Sequence, residues 1–271
     1  MKFRLYILLV VLLWVSSCHG YEKLLKSTDY DLKKQKAKEY YAEGQYVKSS
    51  ELLTQILPRF RATDEAEELN WIYAQSYYGM EDYFMAGSYF KIFVDQFPFG
   101  KHAEEANFLV ALCDYKIAPR SELDQENTRN ALEGFNIFIS RFGASPRVEE
   151  CKKYISELQD KLVEKSYINA KLYYDMKEYK AAIVAINNSL KEYANSKYRE
   201  EMMFLKLNSL FFYAQNSLPD KQRVRYQDTL DDYFSFMEEF PQSQYLKDIK
   251  SIYQKTNKYL KAGIPESGVN N

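Results

Sequence analysis

Large apolar residues recur at the spacing of one helix face from about residue 29 to residue 262. In the clearest stretch, two small residues, Ala74 and Ala86, lie twelve positions apart. Phe90 and Phe93 follow Ala86 after four and seven positions, which places all three on one helix face. Pro98 closes the stretch. The pattern predicts two antiparallel helices joined by a short turn.

The same pattern occurs five times along the chain. The small residue of the first helix is Ala37, Ala74 or Ala170 in the three complete copies. The small residue of the second helix is Ser49, Ala86, Ala131, Ala182 or Thr229, and an aromatic residue closes each copy at Phe60, Phe97, Phe142, Tyr193 or Phe240. Small residues let paired helices approach closely, while large ones fill the space between repeats. The pattern resembles the tetratricopeptide repeat (TPR), which implies an all-α superhelical solenoid of five TPR-like helix pairs.

Some repeats are longer than a standard TPR, and their extra residues predict where the stack departs from regularity. Residues 116–128 and 215–227 lie between the helices of the third and fifth repeats, where a loop can lengthen. Residues 147–164 extend a helix, and residues 244–261 form a C-terminal capping helix. Ser, Thr or Asn in each linker is expected to cap the next helix. The solenoid domain therefore covers residues 29–262, and residues 263–271 are predicted to be disordered.

The start of the chain carries a different signal. Lys2 and Arg4 precede eleven uncharged residues, a run too short to span a bilayer, and the pattern predicts a signal peptide over residues 1–17. Small residues directly before Cys18 resemble the lipobox of bacterial lipoproteins, which implies cleavage and acylation of this cysteine. Residues 18–28 would then be a lipidated tether. By resemblance to the sorting rule of enteric bacteria, the presence of His19 and not Asp directly after the cysteine favours the outer membrane. The alternative is an ordinary secretory signal in which Cys18 has no such role.

Composition narrows the range of functions. Tyr and Phe number 25 and 17, which excludes a disordered chain, and the net charge of -1 makes nucleic acid an unexpected partner. Two histidines and three cysteines leave little material for a metal site, and no catalytic motif is present. We therefore expect neither an enzyme nor a cofactor. Cys113 is predicted to be a buried free thiol, with a disulfide to Cys151 as the alternative.

The aromatic excess also predicts a binding surface. By resemblance to the TPR, positions 5 and 12 of each first helix line a groove for peptides. In the first three repeats these positions are Lys34, Tyr41, Trp71, Tyr78, Phe108 and Tyr115, and in the last two they are Tyr167, Tyr174, Phe204 and Phe211. Flat rings bury a large area at low entropic cost, so an extended peptide with aromatic side chains would suit the groove. The alternative is that many of these rings pack against the next repeat.

The lipobox, the five repeats, the two insertions and linkers such as Phe240 to Ser243 together resemble the BamD family. This family is the TPR lipoprotein subunit of the outer-membrane β-barrel assembly (BAM) machine. The resemblance covers residues 18 to about 262 and implies a place on the periplasmic face of the outer membrane. It also implies binding of a BamA-type barrel subunit, mainly through the C-terminal repeats, and of other BAM lipoproteins. The N-terminal repeats are implied to receive unfolded β-barrel outer-membrane proteins. The alternative is another TPR lipoprotein that scaffolds cell-envelope, secretin or peptidoglycan machinery.

Overall fold

The computed structural model describes residues 20–262, and this part of the chain is helical without strands. Residues 20–26 are helical, and eleven longer helices follow. They are α1 (Tyr30–Ala42), α2 (Tyr46–Phe60), α3 (Ala66–Gly79), α4 (Tyr83–Gln96), α5 (Ala103–Ile117), α6 (Glu126–Arg141), α7 (Val148–Asp175), α8 (Tyr179–Glu192), α9 (Arg199–Gln215), α10 (Pro219–Glu239) and α11 (Leu246–Ala262). The predictions for residues 1–17, for Cys18 and for residues 263–271 lie outside the described residues.

The helices form five pairs followed by a single helix, as the sequence predicts. Consecutive helices pack on one another from α1 to α6, and α9, α10 and α11 pack together. The end of α7 pairs with α8 through Ala170 and Ala182, which share one core. The all-α TPR architecture is therefore confirmed. Described residues up to Pro119 join Gln125–Leu158 in one compact unit, here unit 1. Arg120–Asp124 and those from Gln159 onward form unit 2.

The small residues of the repeat pattern are buried between the paired helices. Ala37 and Ala74 are 0% exposed and Ala170 is 1% exposed. Their counterparts in the second helices, Ser49, Ala86, Ala131, Ala182 and Thr229, are all 0% exposed. Ser49 also donates a hydrogen bond from Oγ to the carbonyl oxygen of Ala37 at 2.8 Å. Their complete burial agrees with the interpretation of these positions as close-approach sites.

A constant spacing of buried residues links each repeat to the next. A buried residue of the second helix is followed, thirteen positions later, by a buried residue of the next first helix. The five pairs are Ile56 and Leu69, Phe93 and Ala106, Phe138 and Cys151, Ser189 and Met202, and Phe236 and Ile249. Phe138 and Cys151 belong to one core cluster, so the cysteine serves as the small partner of a large ring. Cys113 and Cys151 are both free and buried, as the sequence predicts for Cys113.

The predicted helix caps are wrong by two residues. The N-caps of α3, α5 and α9 are Glu65, His102 and Tyr198, and none of these side chains makes a capping hydrogen bond. The linker serines act earlier, because the Oγ of Ser196 accepts from the backbone N–H of Tyr198 at 3.1 Å. This bond closes a turn immediately before the helix, as Ser and Thr side chains commonly do.

The two insertions differ from each other. In the third repeat, a loop separates Ile117 from Glu126, as predicted. In the fifth repeat the predicted long loop is wrong, since only residues 216–218 separate α9 from α10. Pro219 stands in the first turn of α10, where its fixed φ favours helix formation. The insertion therefore lengthens α10 to 21 residues instead of forming a loop.

The turns within three of the pairs need a left-handed residue. Gly44 has φ of 73°, and the equivalent residues Glu81 and Lys177 have φ of 60° and 62°. Glycine adopts this region without steric cost, whereas a residue with a Cβ is strained there. The second and fourth repeats therefore carry a local strain that the first avoids.

Candidate functional site

Position 5 of each first helix is used to join repeats. Its side chain contacts the residue that immediately precedes the next first helix, and we call each such pair a clasp. Three clasps are stacked rings: Trp71 with His102 at 4.3 Å, Tyr167 with Tyr198 at 4.2 Å, and Phe204 with Tyr245 at 4.1 Å between ring centres. The planes in these pairs are within 8° of parallel. Each stacked pair lies inside one unit. The stacked rings hold adjacent repeats together.

The other two clasps use a charged side chain. Lys34 Nζ lies 2.7 Å from a carboxylate oxygen of Glu65 and 4.7 Å from the ring centre of Phe60. The Arg147 guanidinium lies 4.2 Å from the ring centre of Phe108 and donates two hydrogen bonds to Glu105, at 2.9 and 2.7 Å. A cation over an aromatic face is attracted by the ring electrons.

Phe108 does not provide the groove surface expected from the sequence. Its ring is 1% exposed, because Phe135 and Phe138 pack around it and Arg147 covers it. Such a ring has no accessible face for a ligand. Phe108 lies on the predicted helix, but its own repeat and Arg147, which precedes the next first helix, cover the ring.

Trp71 is half-buried and makes contacts on more than one side. Its ring lies 5.6 Å from those of Phe90 and Phe93 in its own repeat, in addition to the stacked His102. Burial, together with the charge of Lys101, lowers the pKa of His102 below its ordinary value. At neutral pH the stack therefore joins two uncharged rings. For position 5, the geometry favours packing between repeats over direct ligand contact.

Position 12 is different for Tyr41 and Tyr78, whose rings pack mainly on their own repeat. Tyr41 lies 5.9 Å from Tyr46, and Tyr78 lies 5.4 Å from Tyr83. Both are half-buried, and neither hydroxyl has a hydrogen-bond partner within residues 20–262. Tyr115 is also half-buried, but its hydroxyl donates to Glu157 at 2.5 Å, which raises its pKa to about 12. Tyr41 and Tyr78 thus combine a packed ring with a free polar end.

Unit 2 contains a cleft between α9 and the capping helix α11. Its volume is about 520 Å³, and its walls include Phe204, Asn208 and Phe211 from α9, with Ile252 and Lys255 from α11. Phe204 and Phe211 are positions 5 and 12 of the fifth repeat. The amino group of Lys255 lies 5.9 Å from the ring centre of Phe211. The cleft therefore combines aromatic and aliphatic side chains with polar and charged ones, among them Ser251, Asp248 and Lys255.

The sequence pattern did not predict the second residue of each clasp, the one that immediately precedes the next first helix. These residues differ in chemistry, being Glu65, His102, Arg147, Tyr198 and Tyr245, so no common residue type marks them. A constant distance does mark them, since each stands five positions after the aromatic residue that closes a repeat. Lys255 was also missed, because its approach to α9 depends on how the capping helix packs.

The buried titratable groups of the described chain lie in packed or ion-paired positions and do not form a metal site. Residues 20–262 contain no group of three His, Cys, Asp or Glu side chains placed to hold a metal ion. Burial raises the pKa of the Cys113 thiol to about 12 and that of Cys151 to about 11. Asp232 has its pKa raised by burial, which Lys206 at 2.5 Å partly opposes. Within the described range, no helix is both long and apolar enough to cross a membrane.

Comparison with solved structures finds other TPR proteins at low identity. The TPR2AB domain of yeast Sti1, in a complex with pHSP90, is 11% identical, with a TM-score of 0.38 and coverage of 84% of this chain and 98% of that one. TPR-like repeats of a Podospora anserina kinesin light chain are 13% identical, with a TM-score of 0.33 and coverage of 84% and 96%. No curated protein matches the chain.

A protein-family comparison gives a more specific result. The family model YfiO, described as an outer membrane lipoprotein, matches residues 34–209. The match covers more than half of the chain, from α1 into α9. YfiO is the BamD family, so the resemblance seen in the sequence is confirmed. The chain belongs to the YfiO (BamD) family of outer membrane lipoproteins.

Proposed function

We propose that this protein is the scaffold lipoprotein of a β-barrel assembly machine. In this proposal Cys18 carries the lipid that holds the protein on the periplasmic face of the outer membrane. The first helices of the N-terminal repeats bind unfolded β-barrel outer-membrane proteins. The C-terminal repeats bind a BamA-type subunit. Membership of the YfiO family is the observation that carries the proposal. The described helices supply protein-binding surfaces, and no catalytic step is assigned to them.

Tyr41 and Tyr78 are the strongest candidates for substrate contact. Their rings are held by Tyr46 and Tyr83, so binding a peptide costs them little side-chain entropy. Their hydroxyls have no hydrogen-bond partner in the described part of the chain and can bond to the backbone of an extended peptide. Trp71 and Phe108, by contrast, are engaged in clasps.

The cleft of unit 2 is the proposed contact for the BamA-type subunit. The family resemblance assigns this partner mainly to the C-terminal repeats, and the cleft is formed there by α9 and α11. Phe204 lines the cleft although its ring also stacks on Tyr245, while Lys255 and Asp248 can pair with charged groups of the partner. Aromatic side chains that line a pocket are common among the residues that dominate binding energy in protein interfaces.

Site-specific photocrosslinking tests both assignments in cells. A crosslinker in place of Tyr41 or Tyr78 should capture newly exported barrel proteins. One in place of Ser251, which lines the cleft, should capture the BamA-type subunit. The matched control is Ile137, which is 52% exposed on a second helix. Equal capture at Ile137, or an exchange of partners between the two sites, would contradict the assignments.

Depletion distinguishes the proposed function from other TPR lipoprotein scaffolds. Loss of the protein should lower the amounts of many outer-membrane barrels, and a BamA-type subunit should copurify with it. Unchanged barrel levels, with a secretin or peptidoglycan enzyme as the main partner, would favour the alternative. The substitution Cys18→Ala should move the protein from the membrane to the soluble fraction. Unchanged fractionation would refute the lipid anchor.

A further inference from the structure

The N-terminal helical segment, residues 20–26, is fixed to unit 1. Tyr21 donates a hydrogen bond from its hydroxyl to Glu51 at 2.7 Å, and its ring meets that of Tyr40 edge-on at 5.6 Å. Lys33, which is 3% exposed, donates from Nζ to the carbonyl oxygen of Leu25 at 2.9 Å. Because these contacts reach both α1 and α2, the segment moves with unit 1 and not as a free linker.

The same contacts give the direction of the segment. Leu25 lies beside Lys33 near the start of α1, whereas Tyr21 lies beside Tyr40 near its end. The Tyr21 hydroxyl is also 3.3 Å from the carbonyl oxygen of Lys48, near the start of α2. The segment therefore runs antiparallel to α1. Its first residues lie at the edge where α1 ends and α2 begins.

This edge continues into the next two repeats of unit 1, and we call it the turn edge. Gly79 at the end of α3 lies so close to Tyr46 at the start of α2 that a Cβ there would clash with the ring. Lys116 at the end of α5 lies over the ring of Tyr83 at the start of α4. The turns inside the first three pairs therefore share one side of unit 1.

Two exposed apolar side chains occupy equivalent places on the turn edge. Val47 and Phe84 are the second residues of α2 and α4, and they are 64% and 69% exposed. Exposed acidic residues, Glu43, Glu81 and Asp82, stand beside them and outnumber the two lysines of this edge, Lys48 and Lys116. Apolar groups of this kind partition into the interfacial region of a bilayer, whereas the carboxylates disfavour a strongly anionic surface.

We propose that the turn edge of unit 1 lies against the surface of a zwitterionic phospholipid bilayer, with Val47 and Phe84 in the interfacial region. The proposal rests on acylation of Cys18. Two residues span at most about 7 Å, so an acylated Cys18 holds Gly20 close to the membrane. Since the segment from Tyr21 is fixed to α1 and α2, the turn edge is held there with it.

The opposite edge of unit 1 is then turned away from the membrane. Helix α1 has 13 residues, so the two edges are about 20 Å apart. The opposite edge carries Phe99, which is 95% exposed, and Lys101. On exposure alone Phe99 would be the obvious membrane contact. The direction of the N-terminal segment instead selects the edge with Val47 and Phe84, and this difference makes the proposal testable.

Fluorescence quenching in vesicles tests the orientation. Gln45→Cys places a label on the turn edge and Lys101→Cys places one on the opposite edge, while Cys113 and Cys151 are buried. Each lipidated, labelled protein is reconstituted in phosphatidylcholine vesicles that contain a lipid with a nitroxide on its headgroup. We expect quenching at position 45 to exceed quenching at position 101 at least threefold. Equal quenching, or stronger quenching at position 101, would overturn the proposal.

Two further measurements identify the cause of any failure. Val47→Ser combined with Phe84→Ser should reduce quenching at position 45, whereas Ile92→Ser, also at an exposed site, should leave it unchanged. Flotation of the unlabelled protein with the vesicles tests the anchor separately. Absence of flotation refutes acylation of Cys18 and this proposal with it. Flotation with the reverse quenching pattern refutes only the orientation and leaves the proposed lipoprotein function intact.

Discussion

Replacing Trp71 by alanine distinguishes the two interpretations of position 5 that the sequence leaves open. If the ring is a surface for ligands, its removal should cost little stability and much binding. The structure predicts the opposite, because Trp71 contacts Phe90 and Phe93 and stacks on His102. Truncating a buried Trp or Phe to Ala costs about 3–5 kcal/mol. Since Trp71 is half-buried, we expect about 3 kcal/mol.

The stacked pair can be measured separately from the rest of the ring contacts. A double-mutant cycle with Trp71→Ala and His102→Ala should give a coupling energy of about 0.5–1.5 kcal/mol, the range for aromatic pairs. The two contacts inside the second repeat account for the larger remainder. Tyr41→Ala is the matched control, because Tyr41 is half-buried but has one ring neighbour, Tyr46.

The assay is urea unfolding of the mature chain with Cys18→Ala, followed by circular dichroism and paired with binding of a barrel-protein C-terminal peptide. Trp71→Ala should shift the unfolding midpoint strongly, while Tyr41→Ala should weaken peptide binding more than it weakens the fold. A stability loss below about 1 kcal/mol for Trp71→Ala, together with lost binding, would refute the packing interpretation. Trp71 would then be a ligand contact after all.

Three further changes have defined expected outcomes. The pKa of His102 is lowered by burial and by Lys101, so stability is retained above the ordinary histidine pKa and falls as pH drops through the lower folded value. Trp71 fluorescence should fall over the same range, and His102→Gln should abolish both effects. Glu81→Gly should raise the free energy of unfolding by about 1 kcal/mol in urea, because it removes a strained φ of 60°. Met202→Ala should cost about 2–5 kcal/mol by calorimetry, since the fully buried Met202 packs in one core with Ile186 and Leu205.

The architecture could be predicted because its signal is repeated. Ala37 and Ser49 alone are weak indicators, but equivalent small residues recur and are buried throughout the described helices. The helix starts at Tyr46, Tyr83 and Tyr179 were also predicted, since a ring recurs nine positions after each alanine. Redundancy of this kind makes the helix pairs readable even where one copy has diverged.

The accessibility of the groove could not be predicted, because it depends on contacts between repeats. Trp71 and Tyr78 lie two turns apart on one helix, so the sequence pattern places both on the same helix face. What separates them is the residue that reaches each from the next repeat. His102 covers Trp71, and Arg147 covers Phe108, whereas the hydroxyl of Tyr78 stays without a partner in the described chain. That information lies some 30–40 positions away in the sequence.

The clasps also give a reason for proposing Tyr41 and Tyr78, at position 12, as ligand contacts. Each position-5 side chain must suit the residue before the next first helix: lysine faces glutamate at Glu65, tryptophan faces His102, and phenylalanine faces Arg147. Exchanging two such partners would leave a charge or a ring unmatched, which ties both residues to the order of the repeats. Tyr41 and Tyr78 do not take part in clasps. They can therefore vary with the ligand while the stack beneath them keeps its register.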